Sequence, residues 1–324
     1  MKKKNGAAKF AKVMGGYGMV FVLLILIVFF AVSQKRFLQE SNIFNVLRQV
    51  SIVGIIAVGM TFIMLTGGID LSCGSVAGFA GVGAAILMTK YAMNPVLAAL
   101  LMCLLGAALG IVNGLFISKL NVPPFIATLG MMVSVRGLAY IITGGLPVFG
   151  FDKAYTKLGQ GYFGPIPIPV IIMVITFVLG AIFLAKTRAG RHIYGVGGNE
   201  EASRLSGVNI TKIKLLVYCA GGLTSALAGL VVLARTNSGQ PNAGEGYEMD
   251  VITAVVLGGI SMSGGQGRLG MVIVGVLIMG VLSNGMTMLG INEFVQQFIR
   301  GLVLIAAVAL NNFIKTTNTK TVSK

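Results

Sequence analysis

Pro95-Val96-Leu97-Ala98-Ala99-Leu100-Leu101-Met102-Cys103-Leu104-Leu105-Gly106-Ala107-Ala108-Leu109-Gly110-Ile111-Val112-Asn113-Gly114-Leu115-Phe116-Ile117-Ser118 contains no charged side chain. At about 1.5 Å of rise per residue, such a run wound as a helix crosses the roughly 30 Å of a bilayer's hydrocarbon. Comparable runs flank it at 17–32, 50–66, 71–89, 123–142, 165–185, 212–234, 250–264, 270–289 and 294–313. Together they predict about ten transmembrane helices, of which 50–66, 71–89 and 250–264 are the weakest.

The composition agrees. Of 324 residues, 56% are hydrophobic and 10% charged, with a mean hydropathy of +0.90. A soluble domain is about a quarter charged. These figures exclude a soluble enzyme, a secreted disulfide scaffold and a disordered regulator. The longest polar connections, 143–164 and 186–211, are too short to be domains. The chain therefore reads as one all-α polytopic membrane domain over 1–324, with cytoplasmic tails at 1–16 and 315–324.

A net charge of +16 in a soluble protein would suggest a nucleic-acid partner. Here the cations lie between apolar runs, so they report orientation instead, and no nucleic acid is expected. With the N-terminus inside, the inner segments hold sixteen lysines and arginines and the outer loops seven. That excess puts both termini in the cytoplasm and makes the number of crossings even. The first span also has features of a signal peptide, with Ala31 and Ser33 spaced as a cleavage site. Its long preceding tail favours a retained anchor.

The three cysteines, Cys73, Cys103 and Cys219, sit in apolar stretches without a C-x-x-C spacing and read as buried thiols. With His192 as the single histidine, a metal cluster or a serine–histidine site has almost nothing to be built from.

Glycine and proline pairs cut several spans short: Gly67-Gly68, Pro123-Pro124, Gly258-Gly259 and Gly264-Gly265. Broken helices survive in a bilayer only where protein or a water-filled cavity satisfies the freed backbone, and transporters exploit such breaks. Residues 67–74 and 258–265 match at five of eight positions, an echo that duplication and chance explain about equally.

Two motifs of soluble proteins are spurious. Gly265-Gln266-Gly267-Arg268-Leu269-Gly270 satisfies G-x-G-x-x-G, but an apolar span follows where a βαβ unit is required. Ser263-Gly264-Gly265-Gln266 is similar to the signature sequence of ABC ATPases. The chain has no Gly-Lys dipeptide, so it lacks a Walker A loop to cradle phosphates. Any ATP must be hydrolysed by another subunit, and no cofactor is expected in this chain.

The loop 186–211 carries the most information. Asn199 suits a helix N-cap, Glu200 and Glu201 suit the positive N-terminal turn, and Gly207 suits the stop. These residues predict a capped cytoplasmic helix of about two turns. It reads either as an ordinary surface turn or as the dock for an energy-supplying partner.

Glu201-Ala202-Ser203 followed by Gly207 resembles the E-A-A-x-x-x-G coupling pattern of ABC importer permeases. Residues 67–72, 125–129, 136–137, 197–200, 204–207 and 254–259 resemble the ribose-type sugar permeases, within the branched-chain amino acid/ribose superfamily. The similarity covers about residues 40 to 313. Cys73 and Gly264 depart from it, standing where a small apolar residue and an alanine are expected.

The resemblance implies a type II ABC-importer-like fold in the bacterial cytoplasmic (inner) membrane, and a homodimer docked on a sugar-importer ATPase that binds ATP and Mg. It also implies an extracytoplasmic binding protein that delivers the sugar, with ribose ahead of galactose, xylose, inositol or autoinducer-type substrates. Asn199, Glu200, Glu201, Ala202, Ser203, Arg204, Leu205 and Gly207 would couple to the ATPase.

Polar groups within spans are costly and so mark candidate pathway positions: Asp70, Asn113, Thr128, Arg136, Asn284 and Gln296. Each has a structural alternative. Asp70 could cap a helix starting at Leu71, Arg136 could snorkel or pair, and the amides could bond neighbouring helices. An ion-coupled secondary transporter would need an acidic relay, for which only Asp70, Asp250 and Glu293 are available. A membrane enzyme lacks both an intramembrane histidine and a G-x-S-x-G elbow.

Overall fold

The computed structural model describes the backbone of residues 2–322 and the side chains of 18–309. The expected tails 1–16 and 315–324 lie outside the residues whose side chains are described. Thirteen helices account for most of the described chain. They are α1 (Lys2–Ser33), α2 (Glu40–Leu65), α3 (Cys73–Lys90), α4 (Pro95–Lys119), α5 (Pro124–Thr143), α6 (Lys153–Gln160), α7 (Ile168–Lys186), α8 (Arg188–Gly198), α9 (Glu200–Leu205), α10 (Ile210–Thr236), α11 (Tyr247–Leu257), α12 (Leu269–Met288) and α13 (Glu293–Val322). One two-stranded hairpin, β1 (Tyr162–Phe163) with β2 (Ile166–Pro167), follows α6 in antiparallel register.

Seven of these helices, α2, α3, α4, α5, α7, α10 and α12, are long and apolar enough to cross a membrane. The apolar part of α1, Gly18–Ser33, is shorter. Each predicted span has a helix beneath it, with three differences of extent. The helix under 50–66 begins at Glu40, on the solvent side of its apolar run. The span 71–89 starts at Cys73, because Asp70 holds residues 70–72 in a turn outside the helix.

The third difference matters most. The predicted span 250–264 is helical only over 250–257, the last eight residues of the eleven-residue α11, which is about 16 Å long in all. Gly259 at φ +80° takes the left-handed conformation that ends it, and Ser261 N–H donates to Gln266 O within the loop that follows. This element spans about half the hydrocarbon.

Helix α10 lies at the centre, packed along α4, α2 and α3. Its contact with α4 is set by glycines four residues apart. A Cβ on Gly106 would meet Gly222 O at 2.7 Å, one on Gly110 would overlap the carbonyl of Tyr218, and one on Gly114 would lie 3.0 Å from Leu215 Cα. Rising numbers on α4 meet falling numbers on α10, so the two helices run antiparallel with backbones in contact. Small residues at four-residue spacing are how helices associate in lipid, where apolar side chains gain nothing by leaving it. The opposite face of α4 presents Val96, Leu100 and Leu104 outward.

The connections sort to two ends of the bundle. At one end, Val148 and Gly239 form a bridge, Gln160 Nε2 donates to Arg235 O at 3.0 Å, and Arg48 stacks on the Tyr162 ring. This gathers residues near 44–48, 143–167 and 235–239. At the other end, the loop 186–211 meets the breaks at 66–72 and 258–268. Alternating crossings drawn from the sequence would give the same sorting.

The glycine seam predicts that Gly110→Ala costs about 2 kcal/mol or more, since an overlap with backbone cannot be relieved by side-chain rotation. Gly130→Ala, whose new methyl meets nothing within 4 Å, should leave stability unchanged. Thermal unfolding of the purified protein in one detergent compares the two.

Candidate functional site

The site begins where α10 ends. Asn237 at φ +52° reverses the chain, and residues 240–246 run back into the bundle along α3. Two small residues of α3 admit this run of turns. A Cβ on Gly74 would overlap Gly244 O, and one on Gly78 would overlap Ala243 O. Gly246 at φ +83° then starts α11 inside the bundle, with Glu248 and Asp250 in its first turn, where the helix dipole favours negative charge.

Arg136 reaches from α5 and donates through Nη1 to Pro241 O and Ala243 O, both at 2.7 Å. The guanidinium thus satisfies two carbonyls that the broken helix leaves free. Beside it opens a cavity of about 350 Å³ lined by Ser75, Met132, Val133, Arg136, Tyr140, Glu245 and Glu248. Ser75 is buried and its Oγ has no hydrogen-bond partner. Glu248 Oε1 accepts from Gly246 N–H at 3.3 Å. A guanidinium, two carboxylates, a phenol and an unused hydroxyl can together donate to and accept from a ligand rich in hydroxyls.

Of the six pathway candidates, Arg136 alone lines this cavity. Asp70, Asn113 and Thr128 gather at the 66–72 break. Asp70 Oδ1 accepts from Ser72 N–H at 2.8 Å and from Ser72 Oγ at 2.6 Å. Asn113 Nδ2 donates to that same Oγ at 3.1 Å, while its Oδ1 has no partner. Thr128 Oγ1 is spent on Pro124 O at 2.8 Å, within its own helix.

Asn284 and Gln296 stand elsewhere. Asn284 exchanges two 3.0 Å hydrogen bonds with Asn42 of α2, and Gln296 Nε2 donates to Ile291 O at 2.9 Å. Near them Arg300 pairs with Asp250 at 3.3 Å and donates to Ser283 Oγ at 3.0 Å. These groups join α2, α11, α12 and α13 to one another.

Sequence reading missed Ser75, Tyr140, Glu245 and Glu248. The available signal was Gly244-Glu245-Gly246-Tyr247-Glu248, two carboxylates among glycines directly before an apolar run.

At the opposite end of α11 lies the 186–211 loop. It holds two helices rather than the single short one expected. Thr187 caps α8, its Oγ1 accepting from Gly190 N–H at 3.0 Å. Asn199 caps α9, its Oδ1 accepting from Ala202 N–H at 2.8 Å, and Gly207 at φ +82° turns the chain away. At six residues, α9 is shorter than two turns.

Glu201 pairs with Arg204 at 2.9 Å, and Glu200 joins Arg204 at 3.2 Å and Lys214 of α10 at 2.8 Å. Ala202, Arg204 and Leu205 are exposed, Leu205 to 81%, and Ser203 is half-buried.

Helix α8 connects this exposed tip to both helix breaks. A Cβ on Gly197 would overlap Leu65 O and meet Gly265 N at 2.5 Å, while Gly265 N–H donates to Leu65 O at 2.9 Å. Tyr194 OH donates to Gly267 O at 3.0 Å, and burial pushes its phenol pKa up, which keeps the donor protonated. Gly264, where the family resemblance leads one to expect alanine, sits at φ +82°, and a Cβ there would lie 2.8 Å from Gly67 N. Three backbone segments therefore meet at one glycine junction.

Comparison with known proteins identifies the architecture. A model of the family described as branched-chain amino acid transport system / permease component matches residues 42–308. The ribose import permease protein RbsC of Bacillus subtilis (strain 168) is 46% identical over 304 residues, covering 93% of this chain and 94% of its own. The RbsC of Escherichia coli (strain K12) is 43% identical over 297 residues, covering 90% and 91%. The L-arabinose transport system permease protein AraH of the same strain is 39% identical over 321 residues, covering 95% of each chain. No solved structure matches. With seven membrane-length helices and a match that runs from α2 into α13, the chain belongs to the branched-chain amino acid transport system / permease component family, as a polytopic membrane permease.

Proposed function

We propose that this chain is the membrane-spanning subunit of an ATP-driven importer of a simple sugar, with ribose the substrate favoured by its relatives. It works in the bacterial cytoplasmic (inner) membrane, with both termini inside, as a homodimer. The observation that carries this reading is the cavity beside Arg136. It lies where a helix is broken within the bundle, is bordered by the N-terminal turn of a half-helix, and holds an unpartnered buried hydroxyl. Discontinuous helices with such ends form substrate sites in transporters.

Sugar arrives from an extracytoplasmic binding protein and is handed through alternating states. Ser75, Tyr140, Glu245 and Glu248 exchange hydrogen bonds with its hydroxyls in place of water, so passage costs little desolvation. Arg136 lines the cavity and holds the carbonyls of Pro241 and Ala243 beside it.

Energy enters from a separate ATPase subunit, which binds the ATP and Mg and grips α9. The exposed Leu205 and the small Ala202 suit a partly apolar groove, and Arg204 with Glu200 and Glu201 suits its polar rim. Helix α8 then carries the displacement to the glycine junction. From that junction α11 runs to Glu248, so a push at the loop arrives at the cavity about 16 Å away along one rigid helix.

The arabinose permease relative supports a second sugar, since it covers as much of the chain at 39% identity. Uptake by reconstituted permease, ATPase and binding protein, with ribose and arabinose in competition, tests the assignment. The ion-coupled alternative requires uptake from an ion gradient without ATP.

Two sets of variants test the parts separately. Leu205→Asp, Ala202→Asp and Gly207→Arg lie outside the spans and should reach the membrane at normal abundance. Each should lower co-purification of the ATPase by about tenfold, the effect of ~1.4 kcal/mol of lost contact, and lower uptake with it. Retention of both at parental levels would make this loop an ordinary surface turn.

Glu248→Gln and Ser75→Ala should behave oppositely, keeping the ATPase bound while uptake falls. The expected loss is about fivefold for Ser75→Ala, one neutral hydrogen bond, and more for the carboxylate. Unchanged uptake in both would remove the sugar from this cavity.

A further inference from the structure

A second cavity, unrelated to the one beside Arg136, opens where α6 lies across α4 and α10. It measures about 630 Å³, and its wall is almost wholly apolar: Val96, Leu100 and Cys103 from α4, Leu158 from α6, and Leu227 and Leu230 from α10. Tyr155 also lines it, and its hydroxyl is spent donating to Leu230 O at 3.3 Å. The cavity reaches about two turns down α4 from Pro95, to Cys103.

Its position says what fills it. Val96 and Leu100 on its rim are also among the outward-facing residues of α4, whose exposed face continues through Leu104. The opening is therefore lateral, toward hydrocarbon. An apolar void of this size offers water few polar partners, Asn94 and Lys157 among them, and would be filled by whatever chain the surroundings offer. At its mouth Lys157 lines the cavity, Lys153 lies one turn away on the same helix, and no carboxylate is part of the wall. Both lysines are exposed at the end of the bundle that carries the 143–167 connection.

We infer that this crevice is a binding site for an anionic phospholipid, with one acyl chain between α4 and α10 and the headgroup phosphate against Lys157. An amphipathic helix lying over an apolar slot with cations at the interface is a general way for a membrane protein to hold one lipid apart from the bulk. The chemistry requires a chain and an anion together, so free phosphate does not satisfy it.

The chain contains no tryptophan, so a single one introduced is a clean reporter. Leu158→Trp places it in the cavity wall, and Leu104→Trp on the open lipid face, where Leu104 is 67% exposed. The proteins are reconstituted in phosphatidylcholine and titrated with brominated phosphatidylglycerol or brominated phosphatidylcholine, whose acyl bromines quench on contact.

At residue 158, brominated phosphatidylglycerol should quench at a mole fraction several-fold below that needed for phosphatidylcholine. At residue 104 the two lipids should quench alike. Adding Lys157→Gln to Leu158→Trp should bring its two curves together. Ala99→Trp, on the opposite wall, serves if Leu158→Trp fails to insert.

Equal curves at both positions would overturn the site. So would absence of quenching at 158 together with a Cys103–Cys103 disulfide between two copies, which would make the occupant protein. Excess inorganic phosphate should leave the preference in place, and its removal by phosphate would reduce the site to a simple anion contact.

Discussion

Hydrocarbon offers no hydrogen bonds, so every backbone group freed by a broken helix must be satisfied inside the protein. The chain breaks its helices at 66–72, 237–246 and 258–268, and the rest of the structure is arranged around meeting that demand. The carbonyls of Pro241 and Ala243 are met by Arg136, and the carbonyl of Leu65 by Gly265 N–H. Close packing of these segments requires residues without side chains. Gly74, Gly78, Gly197 and Gly264 occur where a methyl group would meet backbone. At these four positions glycine serves backbone-to-backbone packing.

The same constraint joins the two functional regions. Breaking the helix after α10 creates the cavity and the inward start of α11, and breaking it after α11 creates the junction with α8. One short rigid helix is left between them. The proposed coupling would run from the exposed tip at Leu205 through the junction at Gly197 and the 258–268 loop to α11 and Glu248. The Arg300–Asp250 pair ties the cavity end of α11 to α13 as well.

Much of this was legible from residue order. Apolar runs long enough to span gave the helices, and the breaks at 66–72 and 258–268 lay at glycine pairs already marked, whereas the break at 237–246 was not marked. The Asn199 cap and the Gly207 stop are local chemistry, read directly from side-chain type and offset. What stayed hidden depends on long-range contact. The seam of Gly106, Gly110 and Gly114 has meaning only against α10. Helix α8 contains four glycines among eleven residues and a weak intrinsic helical preference. It forms because Ile193 and Val196 bury against the bundle while Thr187 and Asn199 cap its flanks. Ser75 is far in sequence from Glu245 and Glu248, and only the return of residues 240–246 along α3 brings them together. Asn284 and Gln296 show the reverse: their polarity within spans was visible, but the helices they face were not.

The proposed mechanism requires nucleotide-dependent access to the cavity beside Arg136, driven from a partner ATPase through α8 and α11. It is tested by placing Val133→Cys, on the cavity wall, in a chain whose Cys73, Cys103 and Cys219 are replaced by alanine. A membrane-impermeant thiol reagent is then applied from each side of proteoliposomes that contain the ATPase. Reactivity should switch from one side to the other between the nucleotide-free and ATP-bound states, and Leu205→Asp should abolish the switch. Reactivity that is the same in every nucleotide state, or that changes only with an ion gradient, would contradict it.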